Sequence, residues 1–304
     1  MARRKKGNKI DGWIIIDKPQ GIGSTDVVRR LKYLLKPLKI GHGGTLDPLA
    51  TGILPIGLGE ATKTMPFVTD ARKVYQFKLV WGEERSTDDL EGDVTVTSDV
   101  RPTEQQINDI LPSFLGAIEQ IPPAYSAIKI DGKRAYDLVR AGEEVEMKAR
   151  TVEIHDLTYL GDNDQGESLF EVMCGKGTYI RSLGRDIARK LGSAGHIRDL
   201  RRTKVGPFDL KSAISLEKSE QLSNSAPAHE WVLPVMTALD DIPALALTEA
   251  EATKVRHGNA VKRTDDLSQP DQKYGFIRLL FEQQLLAIAK YEDGLIKPVR
   301  VFNL

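Results

Sequence analysis

The stretch GHGGTLDPLATGILPIGLGEATK, residues 41–63, is the most unusual part of the 304-residue chain. Four glycines fall within residues 41–52. Glycine permits backbone angles that other residues avoid, and close approach to a bound molecule. Asp47 precedes Pro48, a placement that biases Asp47 toward extended backbone and lets its carboxylate project from a fixed loop. Read alone, the stretch is either a glycine-rich turn with Asp47 as a capping residue or a loop that presents Asp47 to a ligand. It is not a phosphate-cradling P-loop, because neither it nor its continuation GLGEATK (57–63) ends in Gly-Lys-Ser/Thr.

Working outward, Trp13 to Asp17 (WIIID) has the pattern of a short buried strand, stopped by Lys18-Pro19-Gln20-Gly21. Ser24 or Thr25 is then placed to cap a helix with Val27, Val28, Leu31, Leu34 and Leu35 on its apolar side. On the far side of the glycine-rich stretch, Val74 to Trp81 alternates as a strand, with Tyr75, Phe77, Leu79 and Trp81 on one face. Leu169 to Cys174 reads as another strand. Thr178 to Leu191 reads as a helix striped by Ile180, Leu183, Ile187 and Leu191 and stopped by Gly192. Asn224 to Pro234 has loop composition. Beyond it, a helix over Leu247–His257 and strands over Phe276–Leu280, Leu285–Tyr291 and Val299–Phe302 predict a small β-rich module with a boundary near residue 240.

Lys+Arg and Asp+Glu both number 43, so net charge points to no partner. The distribution is more informative. Met1–Ile40 carries eleven Lys/Arg against three Asp, Gly82–Asp109 nine acidic residues against two Arg, and Lys176–Lys204 nine Lys/Arg against two Asp. The two basic blocks either converge as one positive face or are separate solvated surfaces. Arg181, Arg185 and Arg189 recur every fourth residue as a basic stripe, followed by Arg198, Arg201, Arg202 and Lys204. The single cysteine, Cys174, excludes an intramolecular disulfide framework and reads as a buried structural thiol. The five histidines form no HExxH pair, and a calcium loop counted from Asp89 has Val94 where its glycine belongs and Val100 where its glutamate belongs. No apolar run is long enough to span a membrane, and the basic N-terminus is followed by no signal-peptide core, which predicts a cytoplasmic protein.

Several ordered stretches together resemble one family, the TruB-type tRNA pseudouridine synthases. Residues 41–63 resemble its nucleophile motif, and Lys18-Pro19-Gln20-Gly21 its N-terminal KPxG motif. Lys73-Val74-Tyr75 resembles its active-site tyrosine strand, and PPAYSAIK (122–129) its PPxYSA(I/V)K segment. GKGTYIRSLGRDIARKLG (175–192) and GHIRDLRRT (195–203) resemble its arginine motif and the leucine-containing stretch that follows. LLAIAKYEDGLIKPVRVF (285–302) is similar to its PUA-like RNA-binding module.

The resemblance implies an α+β pseudouridine synthase fold, with a mixed, largely antiparallel sheet and flanking helices, plus a small C-terminal PUA-like β module. It divides the chain into a catalytic domain over 9–240, with a thumb-like RNA-binding insertion at about 122–148, and the module over 241–304. It further implies isomerisation of uridine 55 in the T loop of tRNA to pseudouridine. Asp47 is then the essential carboxylate, Arg181 its ion-pair partner and Tyr75 the residue that stacks on the uracil. Tyr179 and Leu200 line the base pocket, and His42 fills the space left by the flipped-out base. Lys18 supports the catalytic loop or a phosphate, and Lys129 and Arg202 belong to the RNA-binding set. The reaction is redox-neutral, so no cofactor and no metal is expected. The expected partner is the T stem-loop of tRNA, with no membrane, no obligatory protein partner and a monomeric state. Three rivals stand beside this reading: an RNA-holding protein without chemistry, a synthase guided by another RNA, and a uracil methyltransferase using Cys174.

Overall fold

The computed structural model describes residues 7–126, 128–130, 132–143, 145–262, 275–292 and 294–304. The basic run at residues 1–6, Ala127 of the PPAYSAIK segment and Asp293 of the C-terminal stretch lie outside the described residues.

In chain order the elements are β1 (Gly12–Lys18), α1 (Ser24–Leu35), β2 (Ile40–His42), β3 (Thr51–Leu58), α2 (Met65–Asp70), β4 (Lys73–Trp81), β5 (Glu83–Arg85), β6 (Val94–Thr97), α3 (Glu104–Ile110) and β7 (Gly116–Gln120). There follow β8 (Lys129–Ile130), β9 (Lys133–Arg134), α4 (Ala135–Arg140), β10 (Arg150–Asp162), β11 (Ser168–Cys174), α5 (Ile180–Lys190), β12 (Gly195–Val205), β13 (Phe208–Asp209), β14 (Ile214–Ser215) and α6 (Leu216–Ser225). The C-terminal part holds β15 (Ala244–Ala246), α7 (Glu249–Arg256), β16 (Val261–Lys262), β17 (Phe276–Phe281), β18 (Gln284–Glu292) and β19 (Leu295–Val301).

The main sheet runs β14-β1-β3-β12-β4-β11-β10-β7. The β14–β1 and β3–β12 pairs are parallel and the other neighbours antiparallel, so the sheet is mixed and largely antiparallel as expected. β1 explains its unbroken apolar run by being covered on both sides. Ile14 and Ile16 enter the cluster beneath α1 and α5, whereas Trp13 and Ile15 enter a second cluster on the opposite face. In α5, Ile180, Leu183 and Ile187 are buried against the sheet. The helix lies so close to β12 that a Cβ on Gly184 would stand 2.6 Å from Ile197. Gly192, with φ +71°, adopts the left-handed conformation that ends such a helix.

The second cluster is shared with the C-terminal part. Leu285, Ile288 and Phe302 pack with Trp13, Ile53 and Val235. Lys63 Nζ donates to the Val301 carbonyl at 2.7 Å, and the Asn303 N–H donates to Glu60 at 2.8 Å. The five-stranded sheet β15-β17-β18-β19-β16 is therefore docked on the part that carries the main sheet, with its own core around Leu279, Ala287 and Ile296. None of the described helices is long and apolar enough to cross a membrane.

Three local expectations are corrected. Gly23, not Ser24 or Thr25, caps α1. Ser24 is buried and its hydroxyl is engaged by Leu46, across the fold. Asn224–Pro234 is not all loop, because α6 continues to Ser225 and a short 3-10 turn covers Ala228–Glu230. The last strand begins at Leu295 and contains Pro298, which is tolerated beside a break in register between Ile288 and Ala289 of β18.

Candidate active site

The loop bearing Asp47 is fixed by three supports from two distant parts of the chain, residues 18–24 and Arg202. Before the aspartate, Ser24 Oγ accepts from the Leu46 N–H at 2.8 Å and donates to the Leu46 carbonyl at 2.9 Å. After it, the Pro48 carbonyl accepts from the Gly21 N–H at 2.8 Å and from Lys18 Nζ at 3.3 Å. Lys18 is fully buried and also donates to the carbonyls of Pro19 and Ile22. Burial lowers its pKa to about 8, opposed by the nearby Asp47 charge. Of the two roles the sequence leaves open for Lys18, these contacts all belong to the first, support of the loop and its turn.

Arg202 supplies the third support. It is 1% exposed, and it donates to the Ile53 carbonyl at 2.7 Å and the Gly44 carbonyl at 3.0 Å. Register places it there: on β12, Arg202 pairs with Gly52 of β3 on one side and Tyr75 of β4 on the other. The close approach requires glycine, because Gly52 has φ +98° and a Cβ would fall 2.1 Å from the Arg202 carbonyl.

These supports leave the Asp47 side chain 41% exposed at a cavity of about 270 Å³. Arg181 meets it there, Nη2 to Oδ2 at 2.9 Å. The guanidinium is itself 6% exposed, and it also contacts Asp89 at 3.3 Å, the Thr87 carbonyl at 2.8 Å and the Tyr125 carbonyl at 2.9 Å. Such charge-assisted contacts fix both the position of the arginine and the orientation of the carboxylate.

Tyr75, Tyr179 and Leu200 line the same cavity. Burial raises the Tyr75 pKa, so its phenol is protonated at neutral pH; Arg202 Nη1 stands 3.5 Å from its oxygen. The structure thus brings together Asp47, Tyr75, Tyr179, Arg181, Leu200 and Arg202. It places the other three elsewhere. His42 ends β2 outside the cavity lining, and burial, reinforced by Arg202, lowers its pKa. Lys18 lies behind the loop. Lys129 is exposed on β8, in the segment between β7 and β10.

Two residues that line the cavity, Lys73 and Arg150, are not singled out by the sequence patterns. Lys73 is buried, donates to the Ala71 carbonyl at 2.7 Å, and has its pKa lowered to about 8 by burial and by Arg202. Its place beside Tyr75 in the tyrosine-strand motif is a signal that could have found it. Arg150 carries no such signal, because only strand pairing brings it to the site.

The arginine stripe is also corrected. Arg181, Arg185 and Arg189 do not form a free positive face. They meet Asp89, Asp88 and Glu84 in turn, with Arg185–Asp88 at 2.7 Å. Arg198 pairs with Glu167 and Arg201 with Asp17 at 2.7 Å. The acidic segment is thus the counter-charge of the arginine stripe on α5. Cys174 is fully buried, and burial raises its pKa to about 11.

A mixed sheet thus carries a clamped aspartate–arginine pair beside a tyrosine-walled cavity. The described fold resembles that of a protein in an H/ACA RNP bound to a substrate RNA containing 2'-deoxyuridine, with TM-score 0.71, 23% identity and coverage of 96% of this chain and 85% of that one. A Cbf5-Nop10-Gar1 complex gives TM-score 0.69 at 26% identity, covering 96% and 84%. The model of the TruB family pseudouridylate synthase N-terminal domain matches residues 32–180. Those of the tRNA pseudouridylate synthase B C-terminal domain and the pseudouridine synthase II TruB C-terminal region match 181–240 and 243–302. The tRNA pseudouridine synthase B of Bradyrhizobium diazoefficiens is 52% identical, covering 100% of this chain and 91% of the relative. That of Caulobacter vibrioides is 48% identical over the full length of both. The chain belongs to the TruB family of pseudouridylate synthases.

Proposed function

We propose that the enzyme isomerises uridine 55 in the T loop of tRNA to pseudouridine, with Asp47 as the essential carboxylate. The bond from N1 to C1′ breaks, the uracil turns, and a bond from C5 to C1′ forms. The C5 proton is lost to solvent and N1 gains one, so electrons balance without an oxidant or reductant. A carboxylate held against C1′ attacks it or stabilises its developing positive charge, as in glycosyl transfer. The observation that carries this reading is Asp47 and Arg181 paired at 2.9 Å on the wall of the tyrosine-lined cavity.

A base stacked within a folded T loop must leave the stack to enter this cavity. Tyr75 then stacks on it, while Tyr179 and Leu200 bound the pocket. His42, at the end of β2 ahead of the Asp47 loop, fills the vacated space. The insertion at about 122–148 and the 241–304 module grip the RNA, and Lys129 is among the residues facing phosphate. The enzyme acts in the cytoplasm as a monomer, without cofactor or obligatory protein partner.

The test is tritium release from unmodified tRNA labelled at uracil C5. Release is expected from wild type, none from Asp47→Asn, and none from a transcript with cytidine at the target. Asp47→Asn is expected to retain RNA binding. Release by that variant refutes the nucleophile assignment, and binding without release by wild type favours the RNA-holding rival.

A further inference from the structure

The insertion leaves the main sheet at Gln120, the last residue of β7, and returns at Arg150, the first residue of β10. These two residues are direct cross-strand partners. Both side chains reach to one turn, Gly177–Tyr179, which leads into α5. Gln120 is fully buried, and its Oε1 accepts from the Tyr179 N–H at 2.8 Å while its Nε2 donates to the Tyr179 carbonyl at 3.1 Å. Arg150 donates to the Gly177 carbonyl at 2.6 Å and lies over the Tyr179 ring, 4.9 Å from its centre. The insertion's backbone extends the contact, with the Ile121 carbonyl accepting from Arg185 and the Tyr125 carbonyl from Arg181, each at 2.9 Å.

A plain strand end needs none of this. The ties converge on the residues just before Arg181, including the tyrosine that walls the cavity. Two bonds on one residue set the direction in which α5 starts, and the guanidinium sets the plane of the ring. We propose that Gln120 and Arg150 are positioning residues for the isomerisation, holding Tyr179 and the start of α5 so that Arg181 meets Asp47, and tying that geometry to the roots of the insertion. The inference rests on the reading of the site given under Proposed function.

The experiment is single-turnover tritium release against RNA concentration for Gln120→Leu, Gln120→Glu, Arg150→Ala and Arg150→Lys. Rates are normalised to RNA-binding stoichiometry, and thermal unfolding is measured in parallel. Expected is a fall in saturating rate of about 10- to 100-fold in Gln120→Leu and Arg150→Ala, with KM within about threefold of wild type. Arg150→Lys keeps the charge over the ring and one donor, so it recovers part of the rate. A raised KM with an unchanged saturating rate overturns the proposal by making Arg150 an RNA grip. An unchanged rate per binding-competent molecule with a lower melting temperature overturns it by making both residues purely structural. Arg150 is partly exposed, so its variants decide the matter if those at Gln120 do not fold. Wild type without tritium release overturns the pseudouridylation reading and this inference with it; active variants beside an active wild type overturn this inference alone.

Discussion

Asp89 holds Arg181 from behind, 3.3 Å from Nη1, while Asp47 takes Nη2 of the same guanidinium at 2.9 Å. The two carboxylates differ in setting. Asp89 is buried, accepts from the Glu91 N–H at 3.0 Å and is braced by Thr87, whereas Asp47 opens to the cavity. Asp89 therefore holds the arginine on its buried side, and Asp47 meets it on the cavity side.

Replacing Asp89 with asparagine keeps the shape but removes the charge that anchors Nη1. The saturating rate is expected to fall about 10- to 100-fold, as for other small displacements of a reacting pair. RNA affinity should stay within about threefold, because Asp89 lies outside the cavity lining. Single-turnover release and filter binding on the same preparation separate the two quantities.

Lys73 gives a pH signature. Burial and Arg202 lower its pKa from 10.5 to about 8 in the folded protein. The folded state then binds fewer protons than the unfolded state between these values, so stability contributed by this group rises with pH across that window. Below pH 8 the buried ammonium costs about 3 kcal/mol, at about 1.36 kcal/mol for each tenfold weakening of proton binding. Lys73→Met removes the dependence. Urea unfolding at pH 7 and pH 10 should show wild type gaining roughly 2 kcal/mol relative to the variant at the higher pH; a difference that is flat with pH refutes the assignment.

How much of this was legible follows from how far each contact reaches along the chain. The alternation of Tyr75, Phe77, Leu79 and Trp81 and the spacing of Ile180, Leu183 and Ile187 are local; β4 stands where they predict, and α5 does so from Ile180, with Thr178 and Tyr179 in the turn before it rather than in the helix. The glycines around Asp47 read as allowing close approach to a bound molecule, whereas the approach that Gly52 makes is to the Arg202 backbone of the same sheet. What Arg185 and Arg189 touch was not legible, because Asp88 and Glu84 lie 97 and 105 residues away. Nothing in residues 176–204 says whether an arginine stripe meets phosphate or carboxylate. Gln120 and Arg150 were hidden for the same reason, since only the β7–β10 register makes them neighbours.

Cys174 tests the methyltransferase rival directly. Its thiol is fully buried in β11, and burial raises its pKa to about 11. Very little thiolate exists at neutral pH, so iodoacetamide should leave the native protein unlabelled. Cys174→Ala should lose about 1 kcal/mol of stability through the small cavity it leaves. Its tritium release should remain within about threefold of wild type. Loss of turnover with retained folding would return the cysteine to the mechanism.

Salt dependence separates the arginines that are neutralised within the fold from the cations that are open to solvent. Lys129, Lys133 and Arg134 are exposed on the β8–β9 hairpin, and the carboxylate near Lys133, Glu143, stands 3.9 Å away. Arg189, although 56% exposed, is engaged by Glu84. Removing one cation that neutralises a phosphate flattens the slope of log affinity against log salt by about 0.7 to 0.9. Changing the three hairpin cations to glutamine should therefore flatten it by about 2 if all three face RNA, with the rate of the bound complex changed less than about threefold. Arg189→Gln should leave the slope as it is, because its charge is already matched by Glu84. The opposite pattern, a flat response to the hairpin changes and a flattened slope for Arg189→Gln, would move the RNA path from the insertion to the exposed end of α5.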